Sequence, residues 1–223
     1  MKALTFNKET HEYKVGGEVR PSVSTIASSV GGIDFLHEMK ATPKGRERLA
    51  WLGSYGSDIH HFIEQINSRK TDYPKCVETE NYKKWVAKAG FVPIISEKPL
   101  YSHKYGYCGT FDCIGVAYGE ITLIDWKSGR NIPPSDYAQT QMNLYSQLIS
   151  ENLRYLGIKV WNPYSQKKMM VYDFCGQFGL REVTLTRPLE TTLYDLDIFM
   201  ESWRKDKAFE KDGWADLKQW GKK

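Results

Sequence analysis

The sequence predicts an α/β protein in which a small mixed β-sheet is flanked by helices. Apolar, strand-like runs at 107–117 and 120–127 are joined by the tight connection Tyr118-Gly119, which predicts an antiparallel pair. Apolar residues also recur at helical spacing on both sides of this hairpin, which predicts helices that cover the sheet. With 223 residues, 41% of them hydrophobic and 26% charged, the chain can bury one sizeable core, and we expect a single domain.

The first strongly patterned segment is 56–66, which predicts a helix that starts near Gly56 with Ser57 as its N-cap. His60 and Glu64 would lie one turn apart on one face of this helix. A single helical histidine is usually a hydrogen-bonded structural residue, and His61 is interpreted in that way, but His60 could also complete a metal site. Glu64 is either a partner of His60 or a surface acid. The buried stripe of the helix would comprise Ile59, Ile63 and Ile66.

The predicted hairpin carries two carboxylates and one amine that can converge. Side chains alternate along a strand, so Asp125 and Lys127 point to one face while Trp126 points to the other. The antiparallel pairing brings Asp112 beside Asp125. Such an Asp-x-Lys is often no more than a solvated strand edge, but apolar residues border this one and Ser128 ends the strand. Hard oxygen ligands suit Mg²⁺ or Mn²⁺, and a nearby amine suits phosphodiester hydrolysis.

A second helix is predicted after the hairpin, with Pro133 and Pro134 before Ser135 as a rigid entry. Gln141 and Tyr145 lie one turn apart on this helix. Both could simply form surface hydrogen bonds, but an amide and a phenol at this spacing also suit an anchored phosphate and a stacked base. The core side of the helix would be provided by Leu144 and Leu148.

Several further elements are predicted around this centre. Residues 74–90 are predicted to be helical with Trp85 facing inward, and 155–161 and 168–174 are predicted to be strands. The C-terminal segment has a helical apolar stripe and is expected to pack on the core. Its stripe comprises Leu189, Leu193, Leu196, Met200 and Trp203. The tail that follows, with Trp214 and Trp220 among lysines, is either an ordered cap or a partner-binding segment.

Basic and aromatic residues are interleaved just before the His60 helix. Arg46 and Arg48 precede Trp51 and Tyr55. This pattern fits a grip on a single nucleic-acid strand, but it is more often that of an amphipathic surface helix. A formal net charge of +4 is compatible with a nucleic-acid partner without requiring one.

Four motifs in order resemble the RecB-type branch of the PD-(D/E)XK nuclease superfamily. They are Gly56-x-x-x-His60-x-x-x-Glu64, Gly109-x-x-Asp112, Asp125-x-Lys127 and Gln141-x-x-x-Tyr145. The opening of the chain is similar to that of phage and mitochondrial genome-maintenance single-strand exonucleases of this branch. The segments that carry this second likeness are Phe6-Asn7 to His11-x-Tyr13, Pro21 to Ile26, and Glu97-Lys98-Pro99-Leu100. The resemblance covers roughly residues 5–150.

The resemblance implies a restriction-endonuclease-like core with an N-terminal helical arch. The expected division is an arch region at 1–55, a catalytic core at 56–206 and a C-terminal tail at 207–223. His60, Asp112, Asp125 and the carbonyl of Trp126 would hold one or two Mg²⁺ or Mn²⁺ ions. Lys127 would position the attacking water, and Asp112 and Asp125 would share in catalysis. The substrate would be bound by Gln141, Tyr145, Arg46 and Arg48.

The implied function is a metal-dependent DNA exonuclease, acting on single-stranded or end-bearing DNA in phage or mobile-element replication, recombination or repair. Two alternatives stay open: a structure- or sequence-specific endonuclease, and a non-catalytic DNA-binding or interaction module that retains the fold. A recombination or replication protein is a candidate partner. No apolar run is long enough to span a bilayer or to resemble a signal peptide, so we expect no membrane association and a cytoplasmic protein, bacterial or in a phage-infected host.

Cysteine spacing separates this chain from relatives that carry an iron–sulfur cluster. Such relatives place one cysteine early and a tight group late, whereas Cys76, Cys108, Cys113 and Cys175 are spread along this sequence. We therefore expect thiols without a cluster or disulfide, most of them buried. Cys108 and Cys113 flank Asp112 and are expected to pack the strand.

Overall fold

The computed structural model describes residues 3–31, 39–129 and 135–220, with side chains described as far as Lys207. Gly32, Pro133 and Pro134 lie outside the described residues, as do the side chains of Trp214 and Trp220. The strands are β1 (Leu4–Asn7), β2 (Glu12–Val15), β3 (Glu18–Arg20), β4 (Val92–Tyr101), β5 (Cys108–Ala117), β6 (Glu120–Lys127), β7 (Lys167–Tyr172) and β8 (Arg181–Thr184). The helices are α1 (Val23–Val30), α2 (Pro43–Asn67), α3 (Val77–Ala89), α4 (Asp136–Glu151), α5 (Leu153–Leu156) and α6 (Leu189–Trp220).

The predicted mixed sheet is confirmed and has five strands in the order β4-β5-β6-β7-β8. Strand β6 is central, antiparallel to β5 and parallel to β7, while the other neighbouring pairs are antiparallel. The β5–β6 turn is Tyr118-Gly119, and both residues have positive φ, as the tight turns between antiparallel strands require. A separate antiparallel sheet has the order β1-β2-β3.

Apolar clusters lie on both faces of the five-stranded sheet. One packs residues of α1, α4 and α6 against the sheet, and the other packs α2 and α3 against the opposite face. Leu123 of β6 belongs to the first cluster and Ile124 to the second, which is the alternation expected of a central strand. Burial on both faces fixes the register of β6, because a shift by one residue would exchange its faces.

The predicted helix start at Gly56 is wrong. The helix α2 begins thirteen residues earlier, with Thr42 as the N-cap that accepts a hydrogen bond from the Gly45 amide. Ser57 lies inside this helix, where its hydroxyl donates to the Gly53 carbonyl. Glycine and serine weaken a helix locally, but the buried contacts of Ile59 and Ile63 hold the segment in helical form.

Two other sequence predictions differ from the observed elements. Residues 155–161 form no strand; α5 ends at Gly157 in the left-handed conformation, and Trp161 then packs into the core with its indole donating to the Ser146 carbonyl. The region 1–55, expected to be a helical arch, begins with the three strands β1 to β3 and continues with α1 and the first part of α2.

The remaining elements agree with expectation. The helix α3 buries Trp85, β7 confirms a strand at 168–172, and the stripe of α6 packs through Leu189, Leu196 and Met200. The backbone of α6 continues helically to Trp220.

All four cysteines lie in the described residues and form no disulfide, and Cys108 and Cys113 are buried. Within the described ranges, no helix combines the length and apolar character needed to cross a membrane.

Gly109, at the start of β5, is closely packed and Gly53, in α2, is not, so alanine substitutions at the two positions should have opposite effects on stability. A Cβ at Gly109 would lie 2.6 Å from Val23 Cγ2 and 2.8 Å from Tyr145 Cε1, whereas one at Gly53 would meet nothing within 4 Å. We therefore expect Gly109→Ala to lower the free energy of unfolding by about 1–3 kcal/mol through overpacking. The control Gly53→Ala, inside a helix, should raise it by about 0.5–1 kcal/mol. Urea denaturation measures both, and equal stabilities would contradict this account of the packing.

Candidate active site

Helix α2 carries His60 to the C-terminal end of β6. Ile59, Phe62 and Ile63 are buried against the sheet, so the neighbouring His60 is held at its edge. Its Nδ1 lies 3.3 Å from Glu97 Oε1, and its Nε2 lies 3.3 Å from the Trp126 carbonyl oxygen. The two ring nitrogens thus face different strands of the same sheet.

The hairpin places Asp112 in the same group. Asp112 Oδ2 lies 3.8 Å from His60 Nε2 and accepts a hydrogen bond of 2.8 Å from the Trp126 backbone amide. His60, Glu97 and Asp112 each offer one ligand atom, and these atoms lie within 4.8 Å of one another. Two carboxylates and one imidazole, with a backbone carbonyl adjacent, make a donor set that can bind a divalent metal ion.

Lys127 lies at the same end of β6, beside Asp125 and Gln141. Its ammonium lies 2.9 Å from Asp125 Oδ1 and 2.7 Å from Asp125 Oδ2, and it donates to Gln141 Oε1 at 3.1 Å. Gln141 in turn donates to the Tyr145 hydroxyl at 3.5 Å. Asp125, Gln141 and Tyr145 are all buried, so the amine is held by groups whose own positions are fixed by packing.

The Trp126 side chain anchors this arrangement from the other face of the sheet. Its indole ring makes edge contacts with four buried aromatic rings at centroid distances of 5.4–6.4 Å. Those rings belong to Tyr82, Trp85, Phe91 and Phe174. With Trp126 fixed in that cluster, strand alternation directs Asp125 and Lys127 together towards α4.

The carboxylates around His60 set its protonation. Partial burial lowers the pKa of His60, but the negative charges of Asp112, Glu97 and Asp125 outweigh burial and raise that pKa to about 9. In the metal-free chain the imidazole is therefore a cation at neutral pH. This proton must leave before the ring nitrogen can ligate a metal.

Burial of the Asp112 and Asp125 carboxylates is costly even with Lys127 and His60 nearby. Burial raises the pKa of Asp125 to about 6; Lys127 opposes that rise and the charge of Asp112 adds to it. Burial likewise raises the pKa of Asp112, against the attraction of His60 and Lys127. Asp125 Oδ2 has the short ion contact to Lys127 but no hydrogen bond of good geometry among the described residues. An additional cation would relieve these groups, so the site fits a metal.

A cleft of about 570 Å³ opens onto this group of residues. One wall is the β1–β2 hairpin and the other is the exposed side of α2. His60, Glu97, Asp112, Gln141 and Tyr145 line its inner end. The candidate metal ligands are therefore accessible from solvent along a defined path.

The sequence prediction differs from this geometry at several residues. Glu97 was not expected as a ligand, although it belongs to the quoted segment Glu97-Lys98-Pro99-Leu100. Its φ of 51° lies in the left-handed region, where a non-glycine residue costs about 1–3 kcal/mol and often marks a functional site. Glu64 lines the cleft, but both ring nitrogens of His60 contact other groups, so Glu64 is not the imidazole's partner.

Three further residues lie elsewhere than the site prediction implies. Asp125 influences the pKa of His60 by its charge, but its carboxylate pairs with Lys127 and lies outside the close ligand group. Arg46 and Arg48 lie in the first turns of α2, about 20 Å along the helix axis from His60. Arg46 donates to the Lys40 carbonyl.

Comparisons with known proteins provide no family assignment. No protein-family model matches the chain, and no curated protein matches its sequence. Among solved structures, it is similar to LHK-Exo in complex with dAMP, at 12% identity and a TM-score of 0.40, over 89% of this chain and 94% of that one. It is also similar to SSO0001, at 14% identity and a TM-score of 0.30, over 55% of this chain and 57% of that one. Likenesses of this degree assign neither a family nor an activity.

The charges around His60 predict its titration in the metal-free protein. The NMR signal that disappears in His60→Ala should titrate near pH 9, and Glu97→Gln should move its midpoint downward by removing one attractive charge. Because the folded pKa exceeds the unfolded value of about 6.5, the stabilisation from His60 should be complete below pH 6.5 and lost as pH rises through about 9. A midpoint near 6.5 in the wild-type chain would contradict these contacts.

Proposed function

We propose that this chain is a metal-dependent deoxyribonuclease that hydrolyses phosphodiester bonds. The observation that carries the proposal is the convergence of His60, Glu97 and Asp112 within 4.8 Å, beside Lys127 held by Asp125. Hard ligands next to a fixed amine suit attack on a phosphodiester rather than redox or acyl-transfer chemistry. The four-motif resemblance to RecB-type nucleases, which includes most of the same residues, supports the same reaction.

The proposed cofactor is Mg²⁺ or Mn²⁺, as one or two ions. His60, Asp112 and the Trp126 carbonyl would hold it, with Glu97 as a further ligand and Asp125 at the side of Lys127. When bound, such an ion lowers the pKa of a water and stabilises negative charge on phosphoryl oxygens. The buried carboxylates would then keep their ionised form at neutral pH, because a cation offsets the burial that raises their pKa values.

Lys127 would position the attacking water or a phosphate oxygen. The charge of Asp125 and Asp112 outweighs burial and raises the pKa of Lys127, so its ammonium stays protonated. The ammonium contacts both carboxylate oxygens of Asp125 and Gln141 Oε1, and these contacts fix the amine beside the candidate metal ligands. Gln141 and Tyr145 would keep the amine in place and border the scissile phosphate. Arg46 and Arg48 would hold the strand farther from the site.

The finer proposal is an exonuclease that prefers single-stranded or end-bearing DNA, in phage or mobile-element replication, recombination or repair. The likeness of the chain's opening to single-strand exonucleases supports this mode, and the net charge of +4 suits a polyanion. A recombination or replication protein would be the natural partner. An endonuclease and a non-catalytic binding module are the alternatives that the following experiments separate.

The first test removes one carboxylate charge beside Lys127. Asp125→Asn should abolish cleavage in Mg²⁺ or Mn²⁺, while DNA binding is retained or tightened because repulsion of phosphate decreases. The matched control Asp197→Asn, on the exposed side of α6, should cleave like wild type. Cleavage of end-labelled DNA and a binding assay measure both properties, and EDTA should stop turnover. Near-wild-type turnover by folded Asp125→Asn would overturn the site.

The second test compares two adjacent histidines. His60→Ala should raise the Mn²⁺ concentration needed for half-maximal cleavage, since it removes a ligand from the group around Asp112. His61→Ala should leave that concentration unchanged, because His61 lies at the exposed border of the cleft. Metal titrations of activity give the comparison. Identical requirements in the two variants would contradict ligation by His60.

The third test concerns the mode of attack. If the strand must thread through the cleft from an end, linear single-stranded DNA should be degraded while a covalently closed circle of the same sequence persists. Because phosphate contacts dominate a sequence-independent grip, degradation should also slow as salt rises. Gel analysis of both substrates with Mn²⁺ follows the loss. Equal loss of linear and circular strands would show an endonuclease; loss of neither would favour the non-catalytic module.

A further inference from the structure

The β1–β2 hairpin is built to hold a defined turn at the mouth of the cleft. The Asn7 side-chain oxygen accepts hydrogen bonds from the amides of Glu9 and Thr10, at 2.9 and 3.2 Å. His11 closes the turn with a φ of 52°, a conformation that a non-glycine residue adopts at a cost. Lys8 and His11 are thereby placed on the cleft wall.

Aromatic rings continue from this turn towards the candidate metal ligands. Phe6 stacks on Tyr13 with centroids 4.4 Å apart and planes inclined by 16°, and His11 meets Phe6 edge-on at 6.0 Å. The Tyr13 hydroxyl is 2.9 Å from Thr110 Oγ1, two residues before Asp112. Phe6, His11 and Tyr13 all line the same cleft as His60 and Asp112.

The opposite wall of the cleft contains two glycines of helix α2. A Cβ at Gly53 would meet nothing within 4 Å, and one at Gly56 would meet only Ser128 Oγ at 3.5 Å. Both glycines line the cleft, and neither is needed to avoid a steric clash. Each costs the helix about 1 kcal/mol relative to alanine. Their effect is to leave an open slot between the helix and the aromatic wall.

We propose that this slot binds one unpaired base of a single nucleic-acid strand, stacked on the face of Phe6 that Tyr13 does not cover, with His11 at the edge of the Phe6 ring. Lys8 would meet an adjoining phosphate, and the strand would run past Tyr13 to the ligand group at Asp112. An aromatic wall, a cation and an open slot match a flat ring on a polyanionic backbone. Duplex DNA keeps its base faces stacked, so the slot selects single strands. This inference rests on the proposed function and extends it.

Binding in EDTA tests the slot without any contribution from cleavage. Fluorescence anisotropy at fixed low salt would compare a short thymidine oligomer with an abasic oligomer of equal length and charge. Wild type should bind the base-bearing oligomer about tenfold more tightly. Phe6→Leu, which keeps apolar contact with Tyr13, and Gly53→Leu, which fills the slot from the other wall, should both lose this preference. Ser54→Leu, an exposed neighbour of Gly53, should keep it.

The outcomes distinguish this proposal from the nuclease proposal. Equal binding of the two oligomers by wild type, or an unchanged preference in Phe6→Leu and Gly53→Leu, would overturn the stacking slot even if the protein cleaves DNA with Mn²⁺. A base preference lost in both variants would support the slot even if no metal-dependent cleavage is found. Because Gly53→Leu does not touch the hairpin, misfolding of β1 cannot account for both variants.

Discussion

The Trp126 residue is the constraint on which the candidate site depends. Its indole is locked among buried aromatic rings on one face of the central strand. Its amide donates to Asp112 and its carbonyl oxygen lies 3.3 Å from His60 Nε2. Trp126 thus connects the buried aromatic cluster with Asp112 on β5 and His60 on α2. The relative positions of these metal-ligand candidates therefore follow from hydrophobic packing.

The two faces of strand β6 have different parts in the candidate site: one packs into the core and the other carries the charged groups. Trp126 is packed under α2 and α3, while Asp125 and Lys127 face α4, where Gln141 and Tyr145 hold the amine. Placing three carboxylates and two cationic side chains around one strand end is costly for folding, as the raised pKa of Asp125 indicates. Stability gained by the aromatic core permits this concentration of charge at a strand end.

The parts of the site that were predictable from sequence depend on short-range geometry. Strand alternation is enough to put Asp125 and Lys127 together, and a tight turn is enough to bring Asp112 beside them. Glu97 could not be found in this way, because its contact with His60 joins residues 37 positions apart and needs a left-handed backbone at Glu97. Its proposed role as a ligand depends on a contact between distant parts of the chain.

Errors in the predicted elements have the same origin. Gly56 and Ser57 suggested a helix boundary, yet the packing of Ile59 and Ile63 carries α2 through them. The strands β1 to β3 are only three or four residues long, too short for their alternation to outweigh an expectation of helix. The sequence does not show where these strands lie relative to the large sheet. The contact between the Tyr13 hydroxyl and Thr110 establishes that position.

The most direct test of the central claim is anomalous diffraction from crystals of the full chain soaked in Mn²⁺. A strong peak is expected within about 2.5 Å of Asp112 Oδ2 and His60 Nε2, close to the Trp126 carbonyl, and this peak should be lost in crystals of His60→Ala. Mn²⁺ bound only at a distance from Asp112, or no bound Mn²⁺ in crystals of a protein that cleaves DNA with that ion, would contradict the account.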